Sequence, residues 1–128
     1  DDNMPNTLIQ GTEYTKDQLE DIFDFEYKKP AGIKKTAMGD IVLFSNEGCY
    51  SDYHDEDIFN YEGQRTGSGD QKLIFGNKDL YDIYENDNVK NIYLFINYEF
   101  AGQYVITENP YKENGSWRFP LSKKWNNF

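Results

Sequence analysis

The run Asn91-Ile-Tyr-Leu-Phe-Ile-Asn-Tyr98 constrains the fold more than any other part of this sequence. Its apolar residues are consecutive rather than helically spaced, and it is apolar on both faces, so it reads as a buried strand. Asp40-Ile-Val-Leu-Phe44, between Gly39 and a polar turn, predicts a second buried strand, and Ile58-Phe-Asn-Tyr61, ended by Gly63, a third. Gln103 to Thr107 is expected to pair with the first run through a tight turn at Gly102, and Trp117 to Leu121 closes the set. Thr15-Lys-Asp-Gln18 is a capping box, in which both side chains satisfy free backbone donors at a helix start. Leu19, Ile22 and Phe23 follow at helical spacing, so a short amphipathic helix is expected to about Asp24, before Pro30 and Gly32 break the pattern. Asn77 is expected to cap a second helix whose buried face carries Leu80, Ile83 and Tyr84. Several strands, two short helices and no alternating βαβ rhythm predict an α+β domain. The expected architecture is a curved, mostly antiparallel, β-barrel-like sheet flanked by the helices, since closure removes exposed edges.

A chain of 128 residues fits one domain, residues 1–128, and its opening Asp-Asp-Asn-Met reads as a domain cut from a longer protein or as residual tag residues. Eleven tyrosines and nine phenylalanines point to a core built on rings, which suits strands better than a helical bundle. The net charge of −10 argues against nucleic acid, because phosphate neutralisation supplies most non-specific affinity. The charge is uneven, however: Glu13 to Glu26 carries six acids and one lysine, whereas Lys28 to Lys35 carries four lysines and no acid. Cys49 is the only cysteine, so no internal disulfide can form, and it has no obvious base partner. His54 is the only histidine, and the acids around it do not follow calcium-loop spacing, so no metal or other cofactor is expected. No run suits a membrane span or a secretory leader, which makes a soluble, cytoplasmic protein the expectation. Nothing in the residues proposes catalysis.

Gly63-Gln-Arg-Thr-Gly-Ser-Gly-Asp-Gln71 has three glycines but neither the Lys-Ser/Thr ending of a P-loop nor dinucleotide-fingerprint spacing. A flexible strand-to-helix connection is its simpler reading. Tyr50, Asp52 and Tyr61 bracket a polar loop. Two rings can hold a planar base between them, and a carboxylate at the edge can accept from an exocyclic amine such as N4 of cytosine. On residue types alone, ordinary core or surface tyrosines explain the same positions.

The order of these elements resembles the SRA (SET- and RING-associated) domain family, which reads modified cytosine. The resemblance runs from Pro30 to Leu80. It takes in Pro30-Ala-Gly-Ile33, the strand Asp40 to Phe44, Gly48-Cys-Tyr-Ser-Asp52, Phe59-Asn-Tyr-Glu-Gly63, Asp70-Gln-Lys-Leu73 and Gly76-Asn77 through Leu80. Later strands match in outline. The resemblance implies an SRA/PUA-like fold that flips 5-methylcytosine or 5-hydroxymethylcytosine out of duplex DNA into a pocket. It implies Tyr50 and Tyr61 as the stacking pair, Asp52 as the reader of the cytosine edge, and Gly48 and Cys49 as backbone lining. Gln64 falls where the family contacts the base or enters the groove, while Asp70, Gln71 and Asn77 become structural residues. Lys34, Lys35 and Arg65 are the implied phosphate contacts. The family's acid lies nearer the position of Tyr53, which leaves Asp55 as the alternative reader. The loop from Gly63 to Asp70 is much shorter than in eukaryotic members. The compact form looks like prokaryotic SRA-like domains attached to modification-dependent restriction endonucleases, with cleavage in a separate nuclease domain. The rival reading is an acidic protein-interaction or DNA-mimic module that binds no DNA.

Overall fold

The structure is a computed structural model that describes residues 8–25, 32–45, 52–55 and 57–124, with only the backbone described over 53–55. Its strands are β1 (Ile33–Lys35), β2 (Ile41–Ser45), β3 (Tyr53–Asp55), β4 (Ile58–Glu62), β5 (Ile92–Ile96), β6 (Glu99–Ile106), β7 (Tyr111–Glu113) and β8 (Ser116–Lys123). Among the described residues the helices are α1 (Lys16–Ile22) and α2 (Phe75–Glu85). One sheet holds them in the order β1-β2-β5-β6-β8-β4-β3, with β7 paired to β8 alongside. All the pairings are antiparallel except β2 with β5, which is parallel. The result is a curled α+β half-barrel.

The doubly apolar run is the middle of this sheet. Ile92 and Leu94 join one cluster with Ile41 and Leu43, while Tyr93 and Phe95 join another with Val42. The first cluster gathers residues from both wings of the strand path, Ile33 of β1 and Phe59 and Tyr61 of β4, so it fills the inside of the curl. Leu80 and Ile83 of α2 pack on it. The second lies outside, under α1, whose Leu19 is buried with Phe23 just beyond its end. The capping box is present: the Gln18 amide donates to Thr15 Oγ1 at 3.1 Å and the Thr15 amide to Gln18 Oε1 at 2.8 Å. The helix ends at Ile22 with Phe23 as its cap.

Two local expectations need correction. The β5–β6 turn is Asn97-Tyr98, both left-handed at φ 51° and 69°, as a hairpin that follows strand twist requires. Gly102 instead sits within β6, at φ 122°, next to a bulge: Leu94 pairs with Gly102 but Phe95 with Phe100. The extra residue switches faces, sending Phe100 outward and Tyr104 inward. Asn77 does not cap α2, which starts after Ile74 without a side-chain cap. The expected curved, barrel-like sheet is present as a half-barrel, with β1 and β3 at the two ends of its strand path.

Candidate nucleic-acid interface

The end of β4 is where the two wings of the curl approach each other. Tyr61 is 2% exposed, and its hydroxyl lies 3.1 Å from the Gly32 carbonyl and 3.3 Å from that of Phe44, both within donating distance. A Cβ on Gly32 would come 3.0 Å from that hydroxyl, which favours the smallest residue there. Gln64 reaches the same glycine. With its amide oriented to suit its neighbours, its oxygen accepts from the Gly32 N–H at 2.8 Å and the Ile33 N–H at 3.3 Å. Two side chains from one wing thus engage the backbone donor and acceptor of a single residue on the other.

The chain after β4 is braced by buried amides. Asn77, in the first turn of α2 and 1% exposed, accepts from the Gln64 N–H at 2.8 Å. Its Nδ2 donates to the carbonyls of Gln64 and Lys72, each at 2.9 Å. Gln71, equally buried, accepts from the Trp117 N–H at 2.9 Å and donates to Glu62 Oε2 at 3.2 Å. Both amides press on Gly63, where a Cβ would stand 2.6 Å from Asn77 Oδ1 and 2.9 Å from Gln71 Oε1. The strand-to-helix connection is therefore anchored at both ends, and Arg65 to Asp70 forms a continuous exposed run between the two anchors. There Arg65 Nη1 donates to the Gly69 carbonyl and shapes the loop.

Two carboxylates lie beneath this frame. Asp52 Oδ1 accepts from the Glu62 N–H at 2.7 Å and Oδ2 from the Ser45 hydroxyl at 2.6 Å. Burial pushes the Asp52 carboxyl above its ordinary value, with the Glu62 carboxylate adding to the rise. The two hydrogen bonds and Arg118 act against it. Glu62 is itself buried and accepts from the Ser116 hydroxyl at 2.7 Å. Each Asp52 oxygen uses one of its two lone pairs in these contacts, so the group keeps capacity to accept from a ligand.

The residues expected from sequence are therefore only partly gathered. Asp52, Tyr61 and Gln64 come together around Gly32 and Ser45. Gly48, Cys49 and Tyr50 lie outside the described residues, as does the Asp55 side chain. Lys34 is only 8% exposed, with its ammonium 4.8 Å from the centre of the Phe25 ring, so the side chain packs inward rather than facing a phosphate. Lys35 lines a separate cleft of about 230 Å³ with Asp79, Asp82 and Lys90. Glu62 and Ser116 escaped the sequence reading. A lone acid inside an apolar strand was the available signal for Glu62; Ser116 carried none. Among the described residues no helix is long and apolar enough to cross a membrane.

The curled half-barrel sheet, with its helices, matches solved SRA domains. In particular, the chain superposes on the SRA domain of SUVH5 in complex with fully methylated CG DNA, at TM-score 0.70 and 25% identity. That match covers 91% of this chain and 89% of that one. The SUVH5 SRA domain bound to fully hydroxymethylated CG DNA matches at TM-score 0.66 and 22% identity, over 94% and 91% of the two chains. The sulfur-binding and SRA domains of ScoMcrA, complexed with phosphorothioated DNA, match at TM-score 0.64 and 22% identity, over 90% of this chain but 39% of that one. No protein-family model matches the sequence, and no curated protein does. The fold is an SRA-domain fold.

Proposed function

We propose that this domain binds double-stranded DNA containing modified cytosine, 5-methylcytosine or 5-hydroxymethylcytosine, by taking the base out of the stack to the site around Tyr61 and Asp52. The observation that carries this reading is the likeness, over about nine-tenths of both chains, to SRA domains solved on methylated and hydroxymethylated DNA. Tyr61 and Tyr50 are the stacking pair, with the backbone of Gly48 and Cys49 as lining and Gln64 at the rim. Flipping costs a few kcal/mol, and stacking returns roughly 1–3 kcal/mol per base, so two rings offset most of the cost. Asp52 accepts from N4 of the cytosine. Its raised proton affinity also lets the protonated form donate to N3 as pH falls. Tyr61 is covered in the free domain, so a base reaches its ring only after the residues around it give way. Lys35 and Arg65 contact phosphates, positioning the duplex without reading sequence. The domain itself is a binding module, and cleavage belongs to a nuclease domain of a restriction protein. The ScoMcrA likeness, which covers 24% of that Type IV restriction endonuclease, supports this setting.

The test is a fluorescence-anisotropy titration at stated salt, using matched duplexes with cytosine, 5-methylcytosine or 5-hydroxymethylcytosine. The expected result is tighter binding to one modified duplex, weakening as salt rises and lost in Tyr61→Ala. Absence of binding to every duplex overturns the reading in favour of the acidic protein-interaction or DNA-mimic module that the net charge of −10 suggests.

A further inference from the structure

Of the large apolar side chains that the described surface exposes, Ile74 and Phe75 are consecutive, 38% and 73% exposed. Phe75 also has φ 52°, in the left-handed region that bulky residues avoid. An asparagine or glycine takes that conformation readily, and no buried packing of the ring accounts for keeping a phenylalanine there. Position gives the pair a context. The next residue, Gly76, lies so close to Gln64 that a Cβ would stand 2.7 Å from its side-chain amide, which puts the ring at the rim of the candidate site. Charge gives it a partner. Residues 64 to 78 hold Arg65, Lys72 and Lys78 against Asp70 alone, three cations to one acid in a chain of net charge −10. Asp70 is paired with Lys112 at 3.4 Å, and Lys78 with Asp82 at 3.1 Å.

We infer that Phe75, with Ile74 beside it, is a nucleic-acid contact whose ring stacks on a base face opened by distortion of the duplex, while Lys72 and Arg65 meet the flanking phosphates. An exposed ring between cations is what a base and its backbone fit, and local strain kept without internal packing points to an external contact. The inference rests on the reading that this domain binds modified DNA.

Phe75→Asn removes the ring while tolerating the backbone, so its thermal midpoint should hold or rise. Its affinity for the preferred modified duplex should fall about tenfold, the loss of one stacked base. Phe75→Trp should retain affinity and show fluorescence quenching on DNA beyond that of the native Trp117 and Trp125. If the parent binds modified DNA and Phe75→Asn matches it within twofold, the inference is overturned and the reader stands; the pair then faces protein. If the parent binds no duplex, both fall.

Discussion

Two regions of the molecule are held by different kinds of contact. Outside, under α1, the contact is ring on ring: Phe23 lies 5.1 Å from Tyr93 and Phe95 lies 5.2 Å from Phe100, centre to centre. At the end of β4 the contact is polar: Glu62, Gln71, Asn77 and Ser116 are buried and hydrogen-bonded to one another or to backbone. A ring cluster is non-directional and survives swaps that keep its volume. A buried polar set is directional, and removing one partner strands another without water. The first supplies stability; the second holds a few atoms in place, and those atoms belong to the candidate site.

That contrast can be broken in either region. The largest effect should come from Phe95→Ala, which empties a fully buried position and costs about 3–5 kcal/mol in urea unfolding. Phe95→Leu should recover much of it and leave DNA affinity untouched. Gly63→Ala follows at roughly 1–3 kcal/mol, because the new methyl meets amides that are already fully engaged. Unlike the core change, it should also weaken DNA binding in the same preparations. Tyr61→Phe should cost only about 1 kcal/mol, the value of a typical hydrogen bond. It keeps the ring, so modified-duplex affinity should hold, separating it from Tyr61→Ala in the anisotropy titration.

The smallest effect concerns pH. The folded Asp52 carboxyl holds its proton more tightly than the unfolded one. Its contribution to stability is therefore full below its ordinary value of 3.8 and is lost as pH rises through the raised folded value. Asp52→Asn has no such titration and keeps a group that can meet both Ser45 and the Glu62 N–H. Chemical denaturation across that window should show the parent losing stability relative to the variant as pH rises.

Much of the architecture was legible because it is local. The capping box at Thr15, the apolar runs of β2, β4 and β5, and the buried face of α2 are each written within a few residues. The β5–β6 turn was misplaced because glycine at positive φ serves a turn and a bulge alike, while a left-handed tyrosine at 98 gives no warning. Asn77 was misread for a related reason: an asparagine near a helix start can cap it or, one turn in, reach back to brace the preceding loop. Asp52 and Tyr61 stood out only through the order of motifs around them. Ser116 could not be found that way, since its bond to Glu62 joins residues 54 apart.

The order of the strands also sets how fast the chain can reach this shape. Ile41 pairs with Ile92 and Tyr61 with Phe119, so the middle of the sheet and the site-bearing strand both wait on segments more than fifty residues away. Loop-closure entropy must be met before either contact rewards it, which places refolding toward the slow, roughly millisecond-to-second end of the range for small domains. Until β8 arrives, β4 carries unpaired backbone beside Phe59 and Tyr61. The strand that carries the site is thus also the one most open to association with other chains during synthesis.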